Sequence, residues 1–158
     1  MKLRFWLPLL LCLSACLSER QAQLTEIEAY VGKGGGLRGF ELGTPKERLR
    51  SAERAKLVFD DSLGLAFQIL REDSTRLEIE YFTPKDSLAG SVVNVYLTDE
   101  KKANRLYRLF ADHYTDRYGR QPAGSFGHYI WEKNGQYLHL SLLPDRKTIT
   151  LNLTRSTD

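Results

Sequence analysis

From Lys56 onward apolar side chains recur at every second position, and this alternation restricts the fold more than any other feature of the chain. Leu57 and Phe59, then Leu65, Phe67 and Ile69, then Leu77, Ile79 and Tyr81, then Val93, Val95 and Leu97 all fall on odd numbers. A period of two belongs to extended strands that bury one face. Slipping a strand by one residue turns its apolar set outward, so each hairpin must preserve the parity. Asp61-Ser62-Leu63 reads as a three-residue loop that pairs Phe59 with Leu65, and Glu72-Asp73-Ser74 as one that pairs Ile69 with Leu77. Both keep the odd residues together, which predicts a four-stranded antiparallel meander. Gln68, Arg76, Glu78, Glu80 and Asn94 then share the opposite, wet or partner-facing side.

The last third repeats the pattern. Asn134-Gly135 is a two-residue hairpin turn, and it pairs Trp131 with Leu138 and Tyr129 with Leu140. His128, Ile130 and Glu132 then lie on the other face, against Ser141, His139 and Tyr137. A four-residue loop, Pro144 to Lys147, returns a strand whose Ile149, Leu151 and Leu153 join the apolar side, while Thr148, Thr150, Asn152 and Thr154 join the polar one. The expected fold is α+β: a curved antiparallel sheet of two meanders, about four plus three strands, with one short and one long helix on one face.

The helices carry their own signals. Thr44, Pro45 and Glu47 have the spacing of a capping box, which predicts a short helix from Pro45 to about Arg54. Thr98-Asp99-Glu100 starts a longer one, in which Ala103, Leu106, Tyr107, Phe110, Tyr114 and Tyr118 form an apolar stripe. Gly119 and Pro122 end it. Lys101, Arg105 and Arg108 line its outer side and read as a solvated face. Upstream, Leu17 to Val31 is mixed and polar and runs into Gly32-Lys33-Gly34-Gly35-Gly36. These glycines lack the Gly-Lys-Ser/Thr ending of a phosphate loop. Residues 16–36 are therefore expected to be a flexible tether, although a helix or an edge strand over Glu26 to Val31 stays open.

The first residues supply an address. Met1-Lys2-Leu3-Arg4 is a positive segment, Phe5 to Leu13 an apolar one, and Leu13-Ser14-Ala15-Cys16 follows. The apolar run is shorter than the about 20 residues that span a bilayer. Leu at −3, Ser and Ala at −2 and −1 and Cys at +1 resemble the lipobox of bacterial lipoproteins, over the first sixteen residues only. An ordinary signal peptide with a cysteine near the cut is the alternative. The resemblance implies that residues 1–15 are a signal peptide, that Cys16 carries acyl chains such as palmitate, and that the mature protein sits on a membrane. Each buried CH₂ contributes about 0.8 kcal/mol, so two or more chains hold stably where one does not. Leu17, rather than Asp, after the cysteine resembles the pattern sorted to the outer membrane.

Without residues 1–15 the chain keeps single-domain size, and 37–158 is expected to be one α+β domain. Lys2 and Arg4 leave with the leader, so the net charge of +3 falls toward neutral. No concentrated basic stripe asks for nucleic acid. Of the two cysteines, Cys12 leaves too and Cys16 is acylated. Disulfides, thiolate metal sites and cysteine nucleophiles are then excluded from the domain.

The remaining chemistry is sparse. His128, His139 and Glu132 share one sheet face, with His139 diagonal to the other two at about 7–8 Å. His128 and Glu132, however, lie about 13 Å apart along one strand, so the three do not converge on a metal or a proton. Ala123-Gly124-Ser125-Phe126-Gly127 resembles a nucleophile elbow, but it follows a helix and precedes a strand, the wrong order for one. No cofactor and no metal is expected. Hydroxyl, amide and tyrosine side chains on the sheet face, including Tyr96, permit contact with a protein or carbohydrate without demonstrating it. The candidate partner face is His128, Glu132, Tyr137, His139, Ser141, Thr150 and Asn152. The expectation is a non-enzymatic, lipid-anchored envelope protein of the periplasm that works by protein contact, as an accessory subunit, scaffold or inhibitor. A small hydrolase using Ser125 and His128 is the alternative.

Overall fold

The structure, a computed structural model of the chain, describes residues 7–34, 36–119 and 127–155, and for 7–17 the backbone alone. Helix α1 spans Leu7–Val31, α2 Lys46–Ala52 and α3 Glu100–Tyr118. The strands are β1 Lys56–Asp60, β2 Gly64–Leu70, β3 Arg76–Phe82, β4 Gly90–Tyr96, β5 His128–Lys133, β6 Gln136–Leu142 and β7 Thr148–Arg155. They form one open antiparallel sheet in the order β1-β2-β3-β4-β7-β6-β5. The two meanders expected from the alternation are both there, and β4 with β7 joins them, Val93 opposite Leu151 and Val95 opposite Ile149.

Parity accounts for the core. Leu65, Phe67, Leu77, Ile79, Tyr81, Val93, Val95, Leu138, Leu140, Ile149, Leu151 and Leu153 are buried on the inner face. Against them lie Ala103, Leu106, Phe110 and Tyr114 of α3, the expected stripe. Each such side chain removed from water contributes about 1.5–3 kcal/mol, so this interface dominates the stability. Asp99 caps α3 by accepting the Lys102 N–H at 2.7 Å. Asn134 and Gly135 both have positive φ, 54° and 68°, the signature of the type I′ turn that sets Trp131 opposite Leu138. Ile69 pairs with Leu77 as expected.

Three expectations are corrected. First, residues 18–31 are not a coiled tether: they belong to α1, and Ile27, Tyr30 and Val31 are buried. Leu24, Ile27, Tyr30 and Val31 recur at three- and four-residue steps, which lays one helical face on the core. Gly32 and Gly36, which follow, are closely packed and do not belong to a slack linker. A Cβ on Gly32 would stand 2.6 Å from the Arg38 backbone, and one on Gly36 would collide with the Phe40 carbonyl oxygen. Second, the capping box does not form. The Thr44 hydroxyl donates to the Glu41 carbonyl at 2.6 Å, Glu47 pairs with Arg50, and α2 has seven residues with Pro45 at its N-cap. Third, Phe59 does not face Leu65. Asp60 does, while Phe59 faces Ala66 and Leu57 faces Phe67, so Val58 is an extra residue in a bulge. Asp60 is held on the inner side by Lys46 Nζ at 3.0 Å and Arg50 Nε at 2.8 Å. Those ion pairs override the parity, and β1 is exposed throughout.

A buried clamp fixes the turn after α1 to the sheet. Arg38 donates to Glu53 through Nε at 3.1 Å and Nη2 at 2.8 Å, and to the Tyr30 carbonyl at 3.2 Å. The Tyr81 hydroxyl donates to the same carboxylate at 2.9 Å. Burial would raise the Glu53 pKa, but Arg38 overcomes it and holds the group low. Burial drives the Tyr81 phenol upward, and the Glu53 charge adds to this. Among the described residues no helix is long and apolar enough to cross a membrane.

Candidate partner face

All the described helices that touch the sheet do so from its inner side, and the outer face is built of cross-strand rows that the register defines. One row reads Gln68, Glu78, Asn94, Thr150, Ser141, His128. The next reads Phe59, Ala66, Glu80, Val92, Asn152, His139, Ile130, and a third ends in Thr154, Tyr137 and Glu132. The seven residues expected to form a partner face are therefore contiguous, spread over β5, β6 and β7. Opposed side chains on such rows stand about 4.5–5.5 Å apart at Cβ, close enough to act as one surface.

Hydrogen bonds tie the rows together. Thr150 Oγ1 donates to Asn94 Oδ1 at 2.8 Å, and the Tyr96 hydroxyl to Glu78 at 2.7 Å. Arg76 lies over the Tyr96 ring at 4.3 Å. His128 Nδ1 and Ser141 Oγ share a hydrogen bond of 2.6 Å. The His128 and His139 rings are 5.9 Å apart edge to face, and Tyr137 stands 6.5 Å from His139. Partial burial lowers the His139 pKa, and the neighbouring His128 lowers it further. Asn152 Oδ1 is shut off from solvent and has no hydrogen-bond partner among the described residues. An unpaired buried acceptor costs about 1–3 kcal/mol.

The geometry bears on the two chemical readings. Among the described residues no three of His, Cys, Asp and Glu gather as they would around a metal ion. Ser125 falls outside the described residues, as does most of the elbow-like segment. Ser141 makes the serine–imidazole contact with His128, but no carboxylate holds the second ring nitrogen among the described residues, and that third group orients a catalytic base. Comparisons with known proteins add nothing to this geometry. No family model, curated protein or solved structure matches the chain.

Two features escaped the sequence reading. A groove of about 320 Å³ lies between α1 and α3, lined by Arg20, Leu24, Leu109 and His113 and bridged by the Arg20–Asp116 ion pair at 3.0 Å. The sequence left a helix open only over Glu26 to Val31, short of Arg20 and Leu24, and so did not show it. On the inner face Tyr129 and Trp131 stack at 5.4 Å and 7°, with Tyr107 5.6 Å from the first ring and Tyr114 5.8 Å from the second. The hydroxyls of Tyr107 and Tyr114 and the Trp131 indole nitrogen are buried without partners among the described residues. Burial pushes the Tyr107 pKa up to about 12. Of the outer cations of α3, Arg105 is paired with Glu26 of α1.

Proposed function

We propose that this protein is a lipid-anchored component of a bacterial cell envelope, probing no substrate and acting by contact between its outer sheet face and another protein. The observation that carries the reading is the uncovered β5–β6–β7 surface, where hydroxyl, imidazole and amide groups stand in register around the unsatisfied Asn152 acceptor. Such a surface gains when a partner hydrogen-bonds its accessible hydroxyl and imidazole groups and excludes the remaining water. The Leu13-Ser14-Ala15-Cys16 segment supports the anchor. Acyl chains on Cys16 would confine the domain to a membrane surface, and confinement raises the effective concentration of a partner held there. The outer membrane is the proposed location. Carbohydrate has weaker support, because among the described residues of β5, β6 and β7 the outer face offers one tyrosine, Tyr137, as an aromatic platform.

In-cell photo-crosslinking tests the contact. A photoreactive residue at Tyr137 or Ser141 is expected to capture one discrete partner, and the same residue at Ser51, on α2, is not. Equal capture at the three positions would remove the reading. Radiolabelled palmitate tests the anchor separately: wild type should take it up and Cys16→Ser should not.

A further inference from the structure

Most of the exposed large apolar side chains among the described residues crowd one side of the sheet. Leu57, Val58 and Phe59 are 41%, 53% and 55% exposed, and they form the middle of β1, a free edge of the sheet. Leu63 and Phe82 are also exposed, and they share the corner at the end of β2: the Thr83 N–H donates to the Leu63 carbonyl at 2.8 Å, and Phe82 pairs with Gly64. The register sets Leu57 opposite Phe67 on the inner side and Phe59 opposite Ala66 on the outer, so this edge is apolar on both sides, and exposed apolar surface rimmed by charge marks an association site. Natural sheets usually shield their free edges, and β1 does so only in part.

We infer that β1 is a self-association surface, on which a second copy of this chain docks about a two-fold axis near Val58. The charge pattern argues for a second copy over an unrelated partner. Lys56 stands at one end of the strand, exposed and without an ion pair among the described residues, and Asp60-Asp61 stand at the other. Between them lie only Leu57, Val58 and Phe59. Placing two such strands antiparallel sets Lys56 of each copy beside the carboxylates of the other and Leu-Val-Phe against Leu-Val-Phe. This is the self-complementarity that an isologous interface demands. Asp60 keeps its contacts to Lys46 and Arg50, which leaves Asp61 as the more available acceptor. The bulge at Val58 interrupts the regular ladder, so side chains, not a continued run of backbone hydrogen bonds, carry the contact. The face proposed to meet a partner lies on β5, β6 and β7, at the far side of the sheet, and stays open in such a pair.

Two measurements on the full chain in mild detergent test this. Sedimentation equilibrium should show a reversible monomer–dimer exchange. Phe59→Lys, which puts a charge into the patch, should weaken it about tenfold or more, with Lys56→Glu weakening it less and most visibly at low salt. These residues are exposed, and circular dichroism should confirm unchanged folds. In a Cys12→Ser, Cys16→Ser background, Val58→Cys should form disulfide-linked dimers under mild oxidation. Leu70→Cys, 76% exposed at the other end of β2, should not. A monomer at up to about 100 μM protein, a dimer indifferent to Phe59→Lys, equal cross-linking at Val58 and Leu70, or capture of an unrelated protein through β1 would each overturn the proposal.

Discussion

The two free edges of the sheet were built from similar material and ended differently. β5 carries Tyr129 and Trp131 at alternate positions on the inner face, β1 carries Leu57 and Phe59 at the same spacing with the bulge turning Phe59 to the outer face, and both strands close an antiparallel sheet. α3 lies along β5, so Trp131 is 3% exposed and packed between Tyr129 and Tyr114. Among the described residues α2 reaches β1 through Lys46 and Arg50, which pair with Asp60, and β1 stays exposed throughout. Alternation makes a residue available for burial; a neighbouring element decides whether burial happens. The sharpest way to break the comparison is truncation at both edges. Trp131→Ala should cost about 3–5 kcal/mol in chemical denaturation. Phe59→Ala should stay within about 0.5 kcal/mol, as exposed positions do. Equal losses would mean that β1 is covered in solution.

A second contrast concerns charge. Asp60 makes its ion pairs from a partly exposed position, to Arg50 and to the buried Lys46, whereas Glu53 makes its own inside, with a side chain 2% exposed. Glu53→Gln would leave the Arg38 guanidinium buried without a counter-charge, and about 3 kcal/mol should be lost. Asp60→Asn should cost less, since its carboxylate is partly exposed and the buried Lys46 ammonium keeps its hydrogen bond to the Asp61 carbonyl. Replacing both members of the buried pair, as Arg38→Met with Glu53→Leu, should recover most of the loss. If the double variant is as unstable as the single one, the clamp owes its strength to packing and not to charge.

The parts of the fold that were legible in the sequence are those where local chemistry determines register. Asn134-Gly135 can adopt the two positive φ values of a tight hairpin, so the pairing of β5 with β6 follows from two residues and their neighbours. The candidate face was legible for the same reason, because it is the other half of a period of two. The bulge was not, since Asp60 is drawn inward by Lys46 and Arg50, ten or more residues upstream. The pairing of β4 with β7 was equally hidden: parity says which face is buried but not which edges meet. α1 was masked by its polar residues, although Leu24, Ile27 and Val31 had the right spacing. Nor does a sequence pattern reveal that Asn152 lacks a donor, which depends on how closely its neighbours on three strands pack.

That amide offers a finer test of the outer face against the inner one. Inner-face substitutions should only destabilise. Asn152→Val removes an unpaired buried acceptor and inserts a good strand former, so stability should rise by about 1 kcal/mol. If a partner packs over the Asn152 position, cross-linking through Tyr137 should weaken in the same variant. A gain in stability with unchanged capture would detach the orphan amide from function and leave it as a plain packing defect.

The smallest effect expected is a pH dependence that both sides of the sheet share. His139 on the outer face and His113 on α3 both have lowered pKa values, in each case first through burial and then through a neighbouring basic side chain, His128 and Arg117 respectively; Asp116 and Glu28 oppose the shift at His113. The unfolded imidazoles take up protons near pH 6.5 while the folded ones resist. The unfolded chain therefore binds more protons, and stability falls as the pH drops through that value toward the lowered folded pKa, being fully present above it. Glu53, Asp73 and Asp145 are shifted down as well. As carboxylates they lose their contribution only below about pH 4, so the two windows separate. Urea midpoints measured between about pH 7 and pH 5 should decline gently in the wild type. His113→Gln and His139→Gln should each flatten part of that slope. Should the double variant keep the whole of it, other groups titrate in the window, and neither imidazole is as desolvated as its surroundings imply.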